Sequence, residues 1–224
     1  MQKNEIINKL KDIVKEKLSG EKTGYDNFHV FRVYNNAKAI AEKEGGDMFI
    51  IECAALLHEM GDYKFNNLKE ESSNIAKNIL EDLAVEKSDI GKIIYIIDNM
   101  SYHDDVFNTE NYREEVKKEL FIVMDADRLD ATGAIVIART FAFGGAHGRQ
   151  IYNPEIKPND YKDKEDYIAQ YKDENSHSIN HFYEKLLKIK DMMKTETGRK
   201  EALIRHEVLE RFLEDFMREW NAKL

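Results

Sequence analysis

DMFIIECAALLHEM, residues 47–60, decides the fold. Between Met48 and Leu57 a single charge, Glu52, interrupts an apolar run. A helix with apolar residues on nearly all sides runs through a core and does not lie on a surface. Asp47 is placed to cap its first turn, and Gly61 to stop it. The run closes on two adjacent polar residues, His58 and Glu59. Polar pairs seldom end such a run without a reason, and the reason depends on where the other histidines and aspartates lie.

Outward from this segment the chain reads as helical almost throughout. Ile6, Leu10, Ile13, Val14 and Leu18 keep helical spacing and predict an amphipathic helix over residues 3–18. A second is predicted from Phe28 to Glu44, ended by Gly45 and Gly46. Ser72 or Ser73 is read as the start of a fourth, with Ile75, Ile79, Leu80 and Leu83 inward. Ser88 is read as the cap of a fifth, reaching about Met100. Residues 112–143 are predicted helical with a break near Thr132 and Gly133. Two long helices, about 176–195 and 197–222, close the chain around a TETG turn.

Both prolines, Pro154 and Pro158, fall within FGGAHGRQIYNPEIKPND, residues 143–160. That composition predicts a long loop near residues 144–160, placed as a mobile lid at the mouth of a site. No period-2 strand, internal repeat or low-complexity linker appears. The expectation is one all-α domain over residues 1–224, a helical bundle with that one long loop.

Of the 224 residues, 42% are hydrophobic and 34% charged, with a formal net charge of −9. The size admits a sizeable core. The acidic balance argues against a partner such as long nucleic acid, which needs a basic face. A small phosphorylated ligand remains compatible, because it needs only a few local cations. Cys53 is the one cysteine, so no disulfide can form within the chain, as expected of a cytoplasmic protein. The N-terminal MQKNEIINKLKDIV lacks a signal-peptide core. Stretches such as IIYII at 93–97 are far too short to cross a membrane.

Four polar residues in three places stand out: His29, the doublet His58–Glu59, and Asp127 within MDADRLDA. Adjacent helical residues diverge by ~100° with ~1.5 Å of rise, so one ion at the edge between them is within reach of both doublet side chains. Asp125 and Asp127, two apart, face nearly opposite ways and cannot both bind one ion from a regular helix. The spacing does not choose between them. Two imidazoles with two carboxylates form a mixed nitrogen–oxygen site, suited to Mn, Fe, Ni, Co or Zn more than to calcium. Water on such an ion has a lowered pKa and can attack an electrophile.

FHVFRVYNNA around His29, AALLHEMGDYKF around His58, MDADRLDATGAIVIARTF around Asp127 and SINHFYEKLLKIKDMMKTETGR from Ser178 resemble one family. They are similar to the HD-domain superfamily of metal-dependent phosphohydrolases, in its YedJ/YpgQ-like branch, over about residues 26–220. The resemblance implies an HD-domain-like bundle that hydrolyses a nucleoside triphosphate or related small phosphate ester. It implies one divalent ion (Mn favoured among Mn, Mg, Fe, Co, Ni and Zn) on His29, His58, Glu59 and Asp127. The "ADRL" context favours Asp127 over Asp125. Asp62 is then the candidate general base, and Lys64 and Arg32 the candidate phosphate contacts.

The family's doublet is His–Asp, whereas this chain has His–Glu. Glutamate is also a hard oxygen ligand, but its carboxylate lies one methylene further out. The expected result is a retained ion with slowed turnover. The same substitution supports an alternative reading, a catalytically weakened protein that binds metal or nucleotide as a sensor. A third reading, a di-iron oxygenase, needs more metal-facing histidines than the sequence places. His103 is read as a surface-loop residue, and His147 and Arg149 as parts of the long loop. His181 is read as pocket-lining or core, and Arg128, His177 and His206 as structural.

Overall fold

The computed structural model describes residues 2–19, 26–60, 69–101, 105, 112–159 and 177–223. Among the described residues there is no strand, and the helices divide into two compact units, Met1–Asp127 and Arg128–Leu224. No helix among them is long and apolar enough to cross a membrane.

The first unit is organised around one helix. It contains α1 (Lys3–Lys17), α2 (Asn27–Glu44), α3 (Met48–Leu57), α4 (Lys69–Asp82), α5 (Lys87–Asn99) and most of α6 (Lys117–Asp130). α3 packs on α1, α2 and α5. Phe49, Ile50, Ile51, Cys53, Ala54, Ala55, Leu56 and Leu57 are all buried, as an apolar circumference requires. Asp47 caps α3 by accepting from the backbone N–H groups of Phe49 and Ile50. Glu52, the one charge in the run, accepts a 2.7 Å hydrogen bond from the Tyr34 hydroxyl and lies 3.5 Å from Lys38 Nζ. Burial, then the neighbouring Glu52 carboxylate, pushes the Cys53 thiol well above its ordinary range, so it behaves as a small apolar group.

α6 is tied to the α2–α3 corner. Glu119 accepts from the backbone N–H of Asp47 at 2.8 Å, Lys118 Nζ donates to Glu44 O, and Asn36 donates to Ala126 O. At this corner Gly46 has φ +105, and an added Cβ would meet both Glu119 Oε1 and Ile51 Cδ1 at 3.2 Å. Only glycine is at ease there.

Four predicted boundaries move. α4 begins at Lys69, so Ser72 and Ser73 lie inside it; the Ser73 hydroxyl donates to Asp98 of α5. α5 begins at Lys87 with Glu86 at the cap position, and Ser88 is an exposed residue of its first turn. The predicted helix over 112–143 starts only at Lys117, while its break at residues 131–132 falls where expected. α3 ends at Leu57 with a turn at residues 58–60; Gly61 lies outside the described residues.

The second unit contains α7 (Gly133–Ala146), α8 (Ser178–Glu184), a 3₁₀ turn (Leu186–Met192) and α9 (Glu196–Trp220). Arg128 is buried and donates to Met192 O, and Arg205 donates to Leu129 O. Asp130 is paired with Arg139 at 2.6 Å. Phe182, Phe212, Phe216 and Trp220 form a ladder of rings at 5.4–6.1 Å between centroids. The penultimate helix predicted over 176–195 is a short α-helix that tightens into the 3₁₀ turn.

The long loop starts at His147, because FGGA is the last turn of α7. A Cβ on Gly144 would overlap Ser178 Oγ, so at this close approach of α7 and α8 a larger residue would force the Ser178 hydroxyl to turn away. Beyond Arg149 the chain is held by Ser178 N–H to Gln150 O, Ile179 N–H to Ile151 O, and Asn159 N–H to Glu184. Asn180 and His177 both donate to Ile156 O. Five such bonds tie down the segment that its glycine and proline content marks as a mobile lid.

Two serine/threonine positions test these boundaries. Thr195 accepts from the Gly198 N–H at the start of α9, whereas Ser88 forms no cap bond. Thr195→Ala is expected to destabilise the protein by about 1 kcal/mol and Ser88→Ala by no more than about 0.5 kcal/mol. Urea midpoints at unchanged m-value give the measurement; equal losses at the two positions would contradict the observed caps.

Candidate metal centre

The four side chains singled out in the sequence converge within the first unit. His29 is the third residue of α2, and Asp26 caps that turn by accepting from the His29 backbone N–H at 3.0 Å. Its ring is buried. His58 follows the last residue of α3 and keeps helical dihedrals, φ −62 and ψ −26. Its Nδ1 lies 2.9 Å from Ala55 O. A carbonyl in the last turn of a helix has no N–H partner within that helix. Ala55 O therefore receives the Nδ1 proton, and Nε2 keeps its lone pair for a ligand.

The two Nε2 atoms of His29 and His58 face each other at 3.4 Å, with the rings edge to face. Glu59 Oε1 lies 3.5 Å from His29 Nε2 and 3.7 Å from His58 Nε2. Asp127 Oδ1 lies 3.6 Å and 4.0 Å from the same two atoms. Ligands held at ~2.0–2.1 Å from a shared ion stand roughly 3.0–3.4 Å apart. The observed spacing is that of a set slightly open around a single ion. Two neutral imidazoles and two carboxylates give a net charge that a divalent cation balances. His29, His58 and Glu59 alone form a compact trio within 4.8 Å. Asp127 is the more exposed arm, with 36% of its side chain accessible against 12% for Glu59.

The extra methylene of Glu59 does not keep its carboxylate away, because Oε1 approaches both histidines as closely as Asp127 does. Asp125, the alternative left open by the spacing, is fully buried. Arg32 stands one turn beyond His29 on α2 and is half-buried. Asp62, Lys64 and His103 lie outside the described residues. The Ala55 carbonyl was missed by sequence reasoning, since a main-chain atom carries no residue signal; the clue was its place three residues before a histidine at a helix end.

The family model described as "HD domain" matches residues 28–132, a span that contains all four converging side chains. The chain is 36% identical over 196 residues to uncharacterized protein YpgQ of Bacillus subtilis, covering 88% of this chain and 84% of YpgQ. The chain belongs to the HD-domain family. Within it, the relationship is to the YpgQ-like group. A crystal structure of an HD-superfamily hydrolase from Bacillus thuringiensis is 42% identical, covers 99% of this chain and 100% of its own, and superposes with a TM-score of 0.75. A protein from Lactobacillus plantarum, 31% identical with full coverage of both chains, gives 0.84. B. subtilis YpgQ in complex with ADP gives 0.69 at 31% identity, with 97% of each chain covered. The HD-domain hydrolase fold is thus established for this chain.

The remaining candidate histidines and Arg149 belong to the second unit. His147 ends α7 and stacks on Phe143 at 4.0 Å, with the Arg149 guanidinium 5.5 Å from the same ring. His177 caps α8 through Nδ1, and His206 is buried against Lys190 and Glu210. His181 is pushed down from the ordinary 6.5 to about 3, first by burial and then by the charges of Lys185, Arg149 and Arg139. The folded protein therefore holds this ring neutral, while the unfolded chain protonates it below 6.5. Its contribution to stability is complete above the unfolded value and is lost as pH falls toward about 3. In urea unfolding between about pH 7 and about pH 4, wild-type stability should fall more steeply than that of His181→Gln. Parallel pH profiles would show that His181 carries no such coupling.

Proposed function

We propose that this HD-domain protein is a metal-dependent phosphohydrolase acting on a nucleoside triphosphate or a related small phosphate ester. The convergence of His29, His58, Glu59 and Asp127 on one point carries the proposal. The ADP complex of YpgQ and the hydrolase relative from B. thuringiensis support it. His29 and His58 supply the two nitrogen ligands, with His58 held in the correct tautomer by Ala55 O. Glu59 and Asp127 supply oxygen and negative charge. A divalent ion held by these four side chains, manganese in this proposal, would supply polarisation of a phosphoryl oxygen and acidification of a water. Arg32 shares the His29 side of α2 and offsets charge on the phosphate oxygens, with Lys64 in the same role. Asp62 takes the proton of the attacking water as the phosphorus–oxygen bond breaks. The buried free thiol of Cys53 agrees with action in the reducing cytosol.

Glu59 gives the sensor reading its one observation. A carboxylate that closes on both histidines holds an ion well, yet it shifts that ion from where an aspartate would hold it. Turnover is sensitive to such a shift, since a misplacement of about 1 Å costs ~100-fold in rate.

The purified chain is expected to bind one divalent ion, and His58→Ala to weaken that binding by more than ~100-fold, beyond the usual cost of losing an outer partner. Metal titration followed by calorimetry checks this; equal affinity in the variant would remove the proposed centre. Manganese-loaded wild type should hydrolyse nucleoside triphosphates slowly, and Glu59→Asp should raise kcat by roughly ten- to a hundredfold. Metal binding without turnover in both proteins would establish the sensor instead. A fast wild type that Glu59→Asp slows would overturn the account of the glutamate alone.

A further inference from the structure

Phe28 is the large hydrophobic residue most open to solvent among the described residues, at 64%, and in the first unit it is the one exposed large hydrophobic described. A single exposed apolar side chain is ordinary; its address makes this one informative. Phe28 is the second residue of α2, immediately before His29, whose Nε2 belongs to the metal centre. Arg32 lies four residues further on, so Phe28 and Arg32 share a face of the helix. Elsewhere in this unit exposed aromatic area is covered. Lys3, Lys11 and Lys15 of α1 lie over the rings of Phe49, Tyr34 and Phe31. Among the described residues no ring or cation covers Phe28 in the same way.

The helix surface thus presents, in order, an open aromatic face, a metal-facing imidazole and a guanidinium. Neighbouring Cα atoms are ~3.8 Å apart and their side chains diverge by ~100°, which sets the ring and the metal centre on the order of 10 Å apart. That is the span between a nucleobase and the phosphates of its nucleotide. An aromatic ring binds any base by its π-face and needs no hydrogen-bond pattern to do so.

We propose that Phe28 is the base-stacking residue of the site. It selects nucleoside di- and triphosphates over phosphate esters that lack a flat aromatic group, and it does so with little preference among bases. This deepens the phosphohydrolase reading by assigning the residue that recognises the base, and it rests on that reading for the placement of the phosphates at His29, His58, Glu59 and Asp127.

The test compares ligands with and without a base on the full chain loaded with manganese. Calorimetry measures ADP and inorganic pyrophosphate binding to wild type, Phe28→Ala and Phe28→Trp. Loss of one stacked base should weaken ADP binding by roughly tenfold in Phe28→Ala, leave pyrophosphate unchanged, and be repaired in Phe28→Trp. Equal losses for ADP and pyrophosphate, no loss for either, or a wild type that does not bind ADP would each overturn the inference. Turnover is recorded separately on a nucleoside triphosphate and on tripolyphosphate. A stacking effect on ADP binding without turnover of either substrate would uphold Phe28 and sink the hydrolase reading. Turnover of both substrates with KM indifferent to Phe28→Ala would uphold the hydrolase and sink Phe28.

Discussion

The all-round burial of α3 is the constraint on which the first unit depends. A ten-residue helix with apolar residues on every side must be enclosed, and α1, α2 and α5 enclose it. Full burial removes almost all of its side chains from water, with Phe49, Ile50, Ile51, Leu56 and Leu57 each contributing about 1.5–3 kcal/mol. It also fixes the depth at which the helix ends. His58 follows directly on Leu57, so its ring leaves the core at a defined point. α2 packs beside α3 and brings His29 to the same point. The convergence of these side chains is therefore a by-product of core packing, with little freedom left to each of them.

The electrostatics of the centre run against that packing. Two nitrogen atoms at 3.4 Å and two nearby carboxylate oxygens are held together by surrounding structure rather than by mutual attraction. The capped first turn of α2, the capped start of α3 and the hydrogen bonds joining α6 to the α2–α3 corner supply that structure. Prepositioned ligands gain affinity because little has to be ordered when the ion arrives. Glu59 follows α3 within the turn at residues 58–60, so that helix sets its backbone position, and its Oε1 lies 3.5 Å and 3.7 Å from the two histidines.

Most helices were legible because their apolar spacing leaves one reading. α1 and α2 lie within a residue of their predicted limits, α3 starts where expected but ends three residues early at Leu57, and Asp47 caps as its residue type suggests. The misses concern local hydrogen bonding. Ser73 and Ser88 are good capping residues in isolation, yet Ser73 bonds across to Asp98 and Ser88 faces water. Residues 147–159 have the composition of a mobile loop, and only the three-dimensional position of α8 supplies the partners that hold them. The convergence of the candidate ligands could be anticipated because His29, His58, Glu59 and Asp127 fit a recognised pattern. Their distances could not, since these depend on helix packing that no spacing rule contains.

The bond from His58 Nδ1 to Ala55 O has an evolutionary consequence. The group that orients the metal-facing imidazole belongs to the main chain, so no substitution at position 55 can delete it directly. Selection at that position acts through volume and polarity, because Ala55 is fully buried in α3. A relative can therefore change residue 55 within the limits of packing and still present the same imidazole nitrogen. Drift there is constrained by space and polarity and is silent in chemistry, while His58 itself has no comparable tolerance.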